Sequence, residues 1–386
     1  MTTTDRESPR QYLLPAGRLP SKFGLPATGA EHIRTRQREC GLLSRVHGRV
    51  LSATGEYGEA LSHFQTALSI YSPAGNSMEA ARVEALMGQV YQQQGQVIRA
   101  QQYFQRSLQA FVKLSDRVNQ SAVLYALGRF ELERNHLSEA EEYLRQSIDV
   151  TESIRRVPTS RDLTIAFSAT VHDRYESYVD CLMRKHRSDP SKAFDVRAFE
   201  MSEFARARSP ADSLRASQYR LIVGFDPELA ESERSLRQTL RAKEDYRITI
   251  MSKAPSKDAL DALDVELARL ESEYKQLVEN IRARYPSYQE ITSPAALSLR
   301  QIQAQVLTDD HTLLLEYSLS KDRSYLWAVT GKGISSYELP ARSEIENAAR
   351  HLYELLTAGQ QNPDLTFEQR QERDQRSRSA ASHGNR

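Results

Sequence analysis

Two cysteines, Cys40 and Cys181, and nine histidines are the residues of this 386-residue chain with the chemistry of a nucleophile and its base. A thiol attacks as its thiolate and needs an imidazole within hydrogen-bond reach. If one helix carries both His172 and Cys181, they lie ~13 Å apart along it, too far to share a proton. Cys40 and His47 share a helical face but stand ~10 Å apart along the axis. Cys181 follows Tyr178 by three residues on an apolar face, a setting in which free thiols are buried and inert. Both cysteines are therefore expected to be structural. The histidines are scattered and no pair shows metal-ligand spacing with supporting carboxylates, so neither a metal nor a cofactor is expected.

Two further patterns fail on context. Gly331-Lys332-Gly333 is followed by a strand and not by a helix, which removes the N-terminal dipole that a phosphate-binding loop uses. Arg206, Arg208, Arg215 and Arg220 form a basic run, but Glu200, Glu203 and Asp212 interrupt it. It reads as a solvated helix face and not as a nucleic-acid site. The whole chain holds 52 basic and 51 acidic residues, net charge +1, so no global field draws it to nucleic acid or to an anionic membrane. No apolar run approaches the ~18 residues that span a bilayer. Leu13-Leu14, before prolines, is too short for the apolar core of a signal peptide. Two cysteines imply a reduced protein or one indifferent to redox state, and without a signal-peptide core or a membrane-spanning run cytoplasmic residence is the expectation.

The elements that position these side chains are helical and periodic. Gly48, Gly88 and Gly128 stand forty residues apart, and Ala60, Ala100 and Ala140 repeat in the same register. Phe64, Phe104 and Leu144 do so as well, as do Ala67, Ser107 and Ser147. A fixed period of this size marks stacked helix pairs. Each glycine falls in mid-helix, where it costs ~1 kcal/mol relative to alanine. Close approach of the paired helix is the expected reason. His47 falls on a core position of the repeat. Gly55, Gly95 and Asn135 fit the left-handed conformation of a tight inter-helix turn. Ser77 and Ser138 are expected as N-caps, the second in a capping box with Glu141.

The segments VHGRVLSATGEYGEALSHFQTALSI (46–70), LMGQVYQQQGQVIRAQQYFQRSLQA (86–110) and ALGRFELERNHLSEAEEYLRQSIDV (126–150) resemble the tetratricopeptide repeat. The usual period of that family is 34 residues, so six additional ones imply longer helices. The resemblance places the first helix of each pair on the concave side. By the glycine register that side carries Arg45, Arg49, Gln89, Gln92, Tyr125, Arg129 and Glu133. Guanidinium groups grip carboxylates bidentately, so the surface suits a protein or peptide ligand that is extended or acidic. The Lys/Asn pattern of the family's carboxylate clamp is not matched, so a C-terminal peptide is not implied.

The expected organisation is mostly α, a helical-repeat solenoid with a helical hairpin and a small incomplete α/β segment after it. Residues 1–32 read as a disordered leader, and 33–158 as three repeats. Residues 159–217 form a degenerate pair that closes the array, with Tyr175, Tyr178, Leu182, Phe194, Ala198 and Phe199 on apolar faces. Within 218–286, Leu260, Leu263, Leu267, Leu270, Tyr274, Leu277 and Ile281 are spaced three and four apart. That seam is either one half of an antiparallel hairpin or a homodimeric coiled coil, so self-association through 260–281 stands as an alternative. Beyond Pro286 the period becomes strand-like, with strands over 312–319, 324–330 and 334–340 and a helix from Ile345 to Leu356. Residues 360–386 read as a disordered tail. Three strands and one helix are marginal alone, so this region is expected to be the least protected and prone to aggregate.

RARYPSYQEITSPAALSLRQIQ (282–303), TLLLEYSLSKDRSYLWAVT (312–330) and YELPARSEIENAARHLYELL (337–356) resemble the opening of a CHAT domain. CHAT domains are caspase-like cysteine peptidases that accompany tetratricopeptide arrays in bacteria. MSEFARARSPADSLRAS (201–217) resembles the segment joining that family's repeats to its coiled coil. Residues 287–359 would then be the N-terminal part of such a domain. The family's histidine and cysteine lie beyond the point of resemblance. His383 echoes a strand-then-His-Gly context, but no apolar strand precedes it, so no catalytic residue is carried over. An interaction scaffold without peptidase activity is the expectation. The rival is a CHAT-family cysteine endopeptidase whose catalytic half is missing from the sequence or supplied by another chain.

Overall fold

The computed structural model describes residues 29–156, 161–214, 225–251, 257–285, 288, 297–309, 311–361, 369 and 372. The leader as far as residue 28 and nearly all of the tail, with His383, lie outside the described residues. The first six helices are α1 (Gly29–Thr54), α2 (Tyr57–Tyr71), α3 (Ser77–Gln93), α4 (Val97–Lys113), α5 (Arg117–Glu133) and α6 (Leu137–Arg156). They form three antiparallel pairs stacked in series. α3, α4 and α5 are each 17 residues long. Three-residue turns between them complete the forty-residue period.

The glycine register has a steric cause. A Cβ on Gly48 would come within 2.6 Å of Phe64, one on Gly88 within 2.8 Å of Phe104, and one on Gly128 within 2.6 Å of Leu144. Ala60, Ala100 and Ala140 are fully buried between the same helices. At this separation Ser107 Oγ donates to the Ala81 carbonyl at 2.7 Å, and Ser147 Oγ to that of Ser121 at 2.8 Å. The turns within the pairs place Gly55, Gly95 and Asn135 at φ of 89°, 70° and 61°. Gly75 and Ser115 do the same between pairs, at 69° and 53°, a second register that the sequence reading passed over. The N-caps are corrected. Asn76 caps α3, accepting from Glu79 N, and Ser77 is the first helical residue. Ser138 lies inside α6.

The array has an uncovered end. Leu43, Val46 and Val50 on α1 are exposed by 57%, 43% and 56%. Forty residues on, Val83 and Val90 are buried and Leu86 is half-buried. Val123 and Phe130 are buried in the third repeat. α2 covers α3 and α4 covers α5, whereas no described helix precedes α1. His47 is exposed for the same reason and packs edge-on against His63 at 5.6 Å. It is not the core residue expected, although its register equivalents Met87 and Leu127 are fully buried.

α7 (Arg161–Ser188) and α8 (Phe194–Leu214) pack as a further pair against α6. Val171, Tyr175, Tyr178, Leu182, Ala198 and Phe199 fill the space between them. α9 (Pro227–Met251) and α10 (Lys257–Arg284) form an antiparallel hairpin. Leu240 meets Leu263, Leu267 and Leu270, Lys243 pairs with Glu266, and Tyr274 donates to Glu233. Leu263 to Tyr274 of the seam thus face α9 of the same chain, Leu260 packs on the repeats and Ile281 packs with Tyr288 and Phe225, so self-association through 260–281 requires these contacts to open. Arg247 ties the hairpin to the array, donating to the Leu114 carbonyl at the C-terminus of α4, where a cation opposes the helix dipole favourably.

The C-terminal elements are α11 (Leu299–Gln305), β1 (Leu314–Ser318), β2 (Ser324–Thr330), β3 (Gly333–Leu339) and α12 (Arg342–Gln361). The strands form an antiparallel meander in the order β1-β2-β3. One face, with Tyr325, Trp327 and Val329, docks on α7, α8 and α11. Trp327 meets Phe199 edge-on at 6.1 Å, and Tyr325 Oη donates to Asp180 at 2.6 Å. Burial of such side chains contributes about 1.5–3 kcal/mol each. The sheet therefore shares the main core with α7, α8 and α11. Its other face leaves Leu315, Tyr317 and Tyr337 exposed.

Arg206 belongs to this interface. It donates to the Tyr317 carbonyl at 3.2 Å, and its side chain is also exposed to solvent, as expected of the basic run. Those of Arg208, Arg215 and Arg220 lie outside the described residues. Beneath Arg206, Glu316 is 2% exposed on the docked face of β1. The guanidinium is 3.2 Å away, close enough for an ion pair but not placed for a hydrogen bond. Burial first, and then the neighbouring Glu203 carboxyl, push the Glu316 pKa up to about 8, against the pull of Ser202 and Arg206. The folded chain thus holds this proton more tightly than the unfolded chain. Stability from this group is greatest below the ordinary carboxylate range and is lost as pH rises toward about 8.

Two outcomes follow for unfolding in urea monitored by circular dichroism. Val90→Asp, which buries a charge between α2 and α3, is expected to cost about 3 kcal/mol or more. Val50→Asp, at the same register position on the open end, should stay within about 0.5 kcal/mol of the parent. Equal losses at both sites would show that the end is covered in solution. Glu316→Gln is expected to stabilise the chain at pH 8 by roughly 1–3 kcal/mol and to change little at pH 5. A pH-independent effect would show that Glu316 is ionised across this range.

Candidate functional site

The first helices α1, α3, α5 and α7 touch one another in series and make the inner layer of the stack. The seven side chains assigned to this surface divide into three groups. Arg45 is spent on a half-buried ion pair with Glu79 of α3, at 3.2 Å, and Glu79 also holds Arg82. Tyr125 is spent on α7, where its ring lies under Arg174 and its hydroxyl approaches Ser177 at 3.4 Å. Both are engaged within the array.

Gln92, Arg129 and Glu133 form one network. Gln92 Nε2 donates to Glu133 at 2.6 Å, bridging α3 to α5, and Arg129 lies 3.7 Å from the same carboxylate. Arg129 also faces Asp322, at 3.8 Å, in the turn between β1 and β2. The sheet therefore reaches the inner layer at α5. Next to it, Glu176 of α7 holds both His172, at 3.0 Å, and Arg342 of α12, at 3.1 Å. The hydrogen bond to Glu176 raises the His172 pKa above its ordinary value, against the effect of burial.

Arg49 and Gln89 make the third group. They line a pocket of about 410 Å³ between α1 and α3, with Ser52, Tyr57, Leu86 and Gln93. Phe64 backs it, the residue that packs on Gly48. Arg49 and Gln89 are exposed, and Arg49 has no ion-pair partner among the described residues. Tyr57 Oη donates to Gln93 Oε1 at 2.7 Å, which leaves the Gln93 amide nitrogen free to donate. The sequence reading found Arg49 and Gln89 but missed Ser52, Tyr57, Leu86 and Gln93. The signal lay in the register, which puts Ser52 where the next repeat has Gln92.

Neither cysteine is assembled into a catalytic pair in the described structure. Cys181 is fully buried, lies 3.4 Å from the Leu137 carbonyl, and has its pKa pushed up to about 12, chiefly by burial. A thiol so held is a poor nucleophile at neutral pH. His172 and Cys181 do share one helix, α7, as the distance argument assumed. Cys40 is exposed. Among the described residues no cluster of three or more His, Cys, Asp or Glu could hold a metal ion. No described helix is long and apolar enough to cross a membrane.

The sequence profile of the tetratricopeptide repeat matches residues 39–111 and again 79–153. No curated protein matches the chain. The profile match and the stacked pairs coincide, and residues 39–153 are tetratricopeptide repeats.

Proposed function

We propose that the chain is an interaction scaffold that holds an extended, acidic segment of a partner protein along the inner face of its repeats. Tetratricopeptide repeats generally mediate protein–protein interaction. The observation that carries the reading here is the exposed polar surface of the first helices, above all the unpaired Arg49 beside Gln89. The array, the α9–α10 hairpin and the C-terminal sheet make three functional parts in this reading. The sheet, by its resemblance, is the opening of a CHAT domain, and the repeats are the recognition arm of a caspase-like peptidase. The contact of the sheet with α7, α8 and Arg129 supports the idea that the two parts act together. A cysteine-dependent activity within these residues is the weaker reading, because the buried Cys181 thiol holds its proton and no base is paired with it.

Panning random dodecapeptides against the full chain is expected to yield related sequences. Their affinity should fall about tenfold or more when Gln92 and Arg129 are both changed to alanine. Unrelated binders, or binders indifferent to these changes, would count against the inner face. On a fluorogenic-peptide panel the parent and a Cys40→Ser/Cys181→Ser variant should behave alike. Turnover lost in the variant would establish the enzyme.

A further inference from the structure

The repeats are close copies, so a place where the register breaks shows what one interval does that the next does not. Between α3 and α5 the crevice is bridged. Gln92 reaches across to Glu133, and Arg129 closes over the same carboxylate. One period earlier, between α1 and α3, the residue at the Gln92 position is Ser52 and the residue at the Gln93 position is Ala53. Neither is long enough to cross, and the interval stays open as the pocket of about 410 Å³. The acceptor is missing as well, since Gln93 stands at the Glu133 position. Arg49 therefore has no carboxylate to meet within the described residues, while Arg45 and Arg129 each have one.

The polar lip of the pocket includes Arg49 and Gln93 as donors, beside Ser52, Thr54 and Gln89, which can donate or accept. Arg49 carries five N–H groups. Gln93 has its oxygen occupied by Tyr57 and offers its amide nitrogen. Leu86, Ala53 and the ring of Phe64 add an apolar part to the wall. Donors converging over an apolar wall select an anionic acceptor attached to an aliphatic stem, and the volume lies in the range of sites that hold small ligand groups.

We infer that the Arg49 pocket receives the carboxylate side chain of an acidic residue in a bound peptide, with a neighbouring aliphatic residue against Leu86. The incoming carboxylate takes the place that Glu133 occupies in the next interval. The partner therefore carries an acidic–aliphatic pair in an extended segment. This rests on the scaffold reading and specifies its ligand. Charge-assisted, bidentate capture by a guanidinium is the strongest recognition of this kind available to a side chain.

Three fluorescein-labelled octapeptide pools, flanked by uncharged residues, test the inference by fluorescence polarisation on the full chain. The first has Glu-Leu at its centre and the second Gln-Leu, both with amidated C-termini. The third has Gln-Leu and a free C-terminal carboxylate. The Glu-Leu pool is expected to bind about tenfold or more tightly than the other two. Arg49→Gln should erase that preference. Ser52→Gln, which installs the residue of the next repeat, should weaken the Glu-Leu pool by a similar factor while circular dichroism stays unchanged. Arg106→Gln on α4 should leave binding as it was. Equal binding of the amidated pools, or a Glu preference that survives Arg49→Gln, overturns the pocket but leaves the groove. Preference for the free C-terminus also overturns it. If no pool binds, the pocket fails, and the dodecapeptide panning then decides whether the groove fails with it.

Discussion

The contact of a bare glycine backbone with the ring or branched side chain sixteen residues later sets the geometry of the array. At Gly88 there is no room for a methyl group, since Phe104 already occupies the place of a Cβ. The helix gives up ~1 kcal/mol of propensity at such a glycine and gains a fully buried aromatic, worth about 1.5–3 kcal/mol. The exchange is favourable only when the two helices touch at that level, which fixes their spacing. That spacing brings Ser107 Oγ within 2.7 Å of a carbonyl on the facing helix. It also lets a turn of two or three residues, one of them left-handed, close each pair. Inner helices held so closely present their polar side chains as one surface.

The same stacking explains how the sheet joins the helices. α7 and α8 continue the array, and α8 offers Phe199 where Trp327 of β2 settles. Tyr325, Arg206 and Arg342 each cross between the sheet and this pair. Glu316 is a carboxyl at the interface whose ionised form is unwelcome, with Glu203 beside it. Its burial is consistent with a contact set by the fit of Trp327 and not by charge.

What was legible in the sequence depended on the distance over which each contact acts. The glycine, alanine and phenylalanine positions could be read because their contacts lie within one period and recur. The left-handed Gly55, Gly95 and Asn135 were legible because each turn asks the same thing of one residue. The docking of Arg206 on Tyr317 spans 111 residues and occurs once, so no pattern announces it. The heptad seam of α10 was visible, but spacing alone does not say whether α9 or a second chain fills it. Ser77 lost the cap to Asn76 by one residue, since either side chain can accept the helix amide. His47 was misplaced because register fixes orientation and not cover, and no described helix precedes α1 to bury it.

That last distinction also governs function. A repeat makes the same backbone many times, and conformity to it says only that the array folds. Selectivity has to come from positions that depart from the pattern without disturbing it. Ser52 is such a position. It lies on the inner layer and is not among the side chains that touch Gly48, and the bridge that seals the next interval is absent there. Arg49 is left unpaired by that single change in side-chain length and by the loss of the carboxylate at Gln93. A cation kept free beside an apolar wall does nothing for the fold that a paired one would not do better. In the scaffold we propose, its role is to receive a partner's carboxylate.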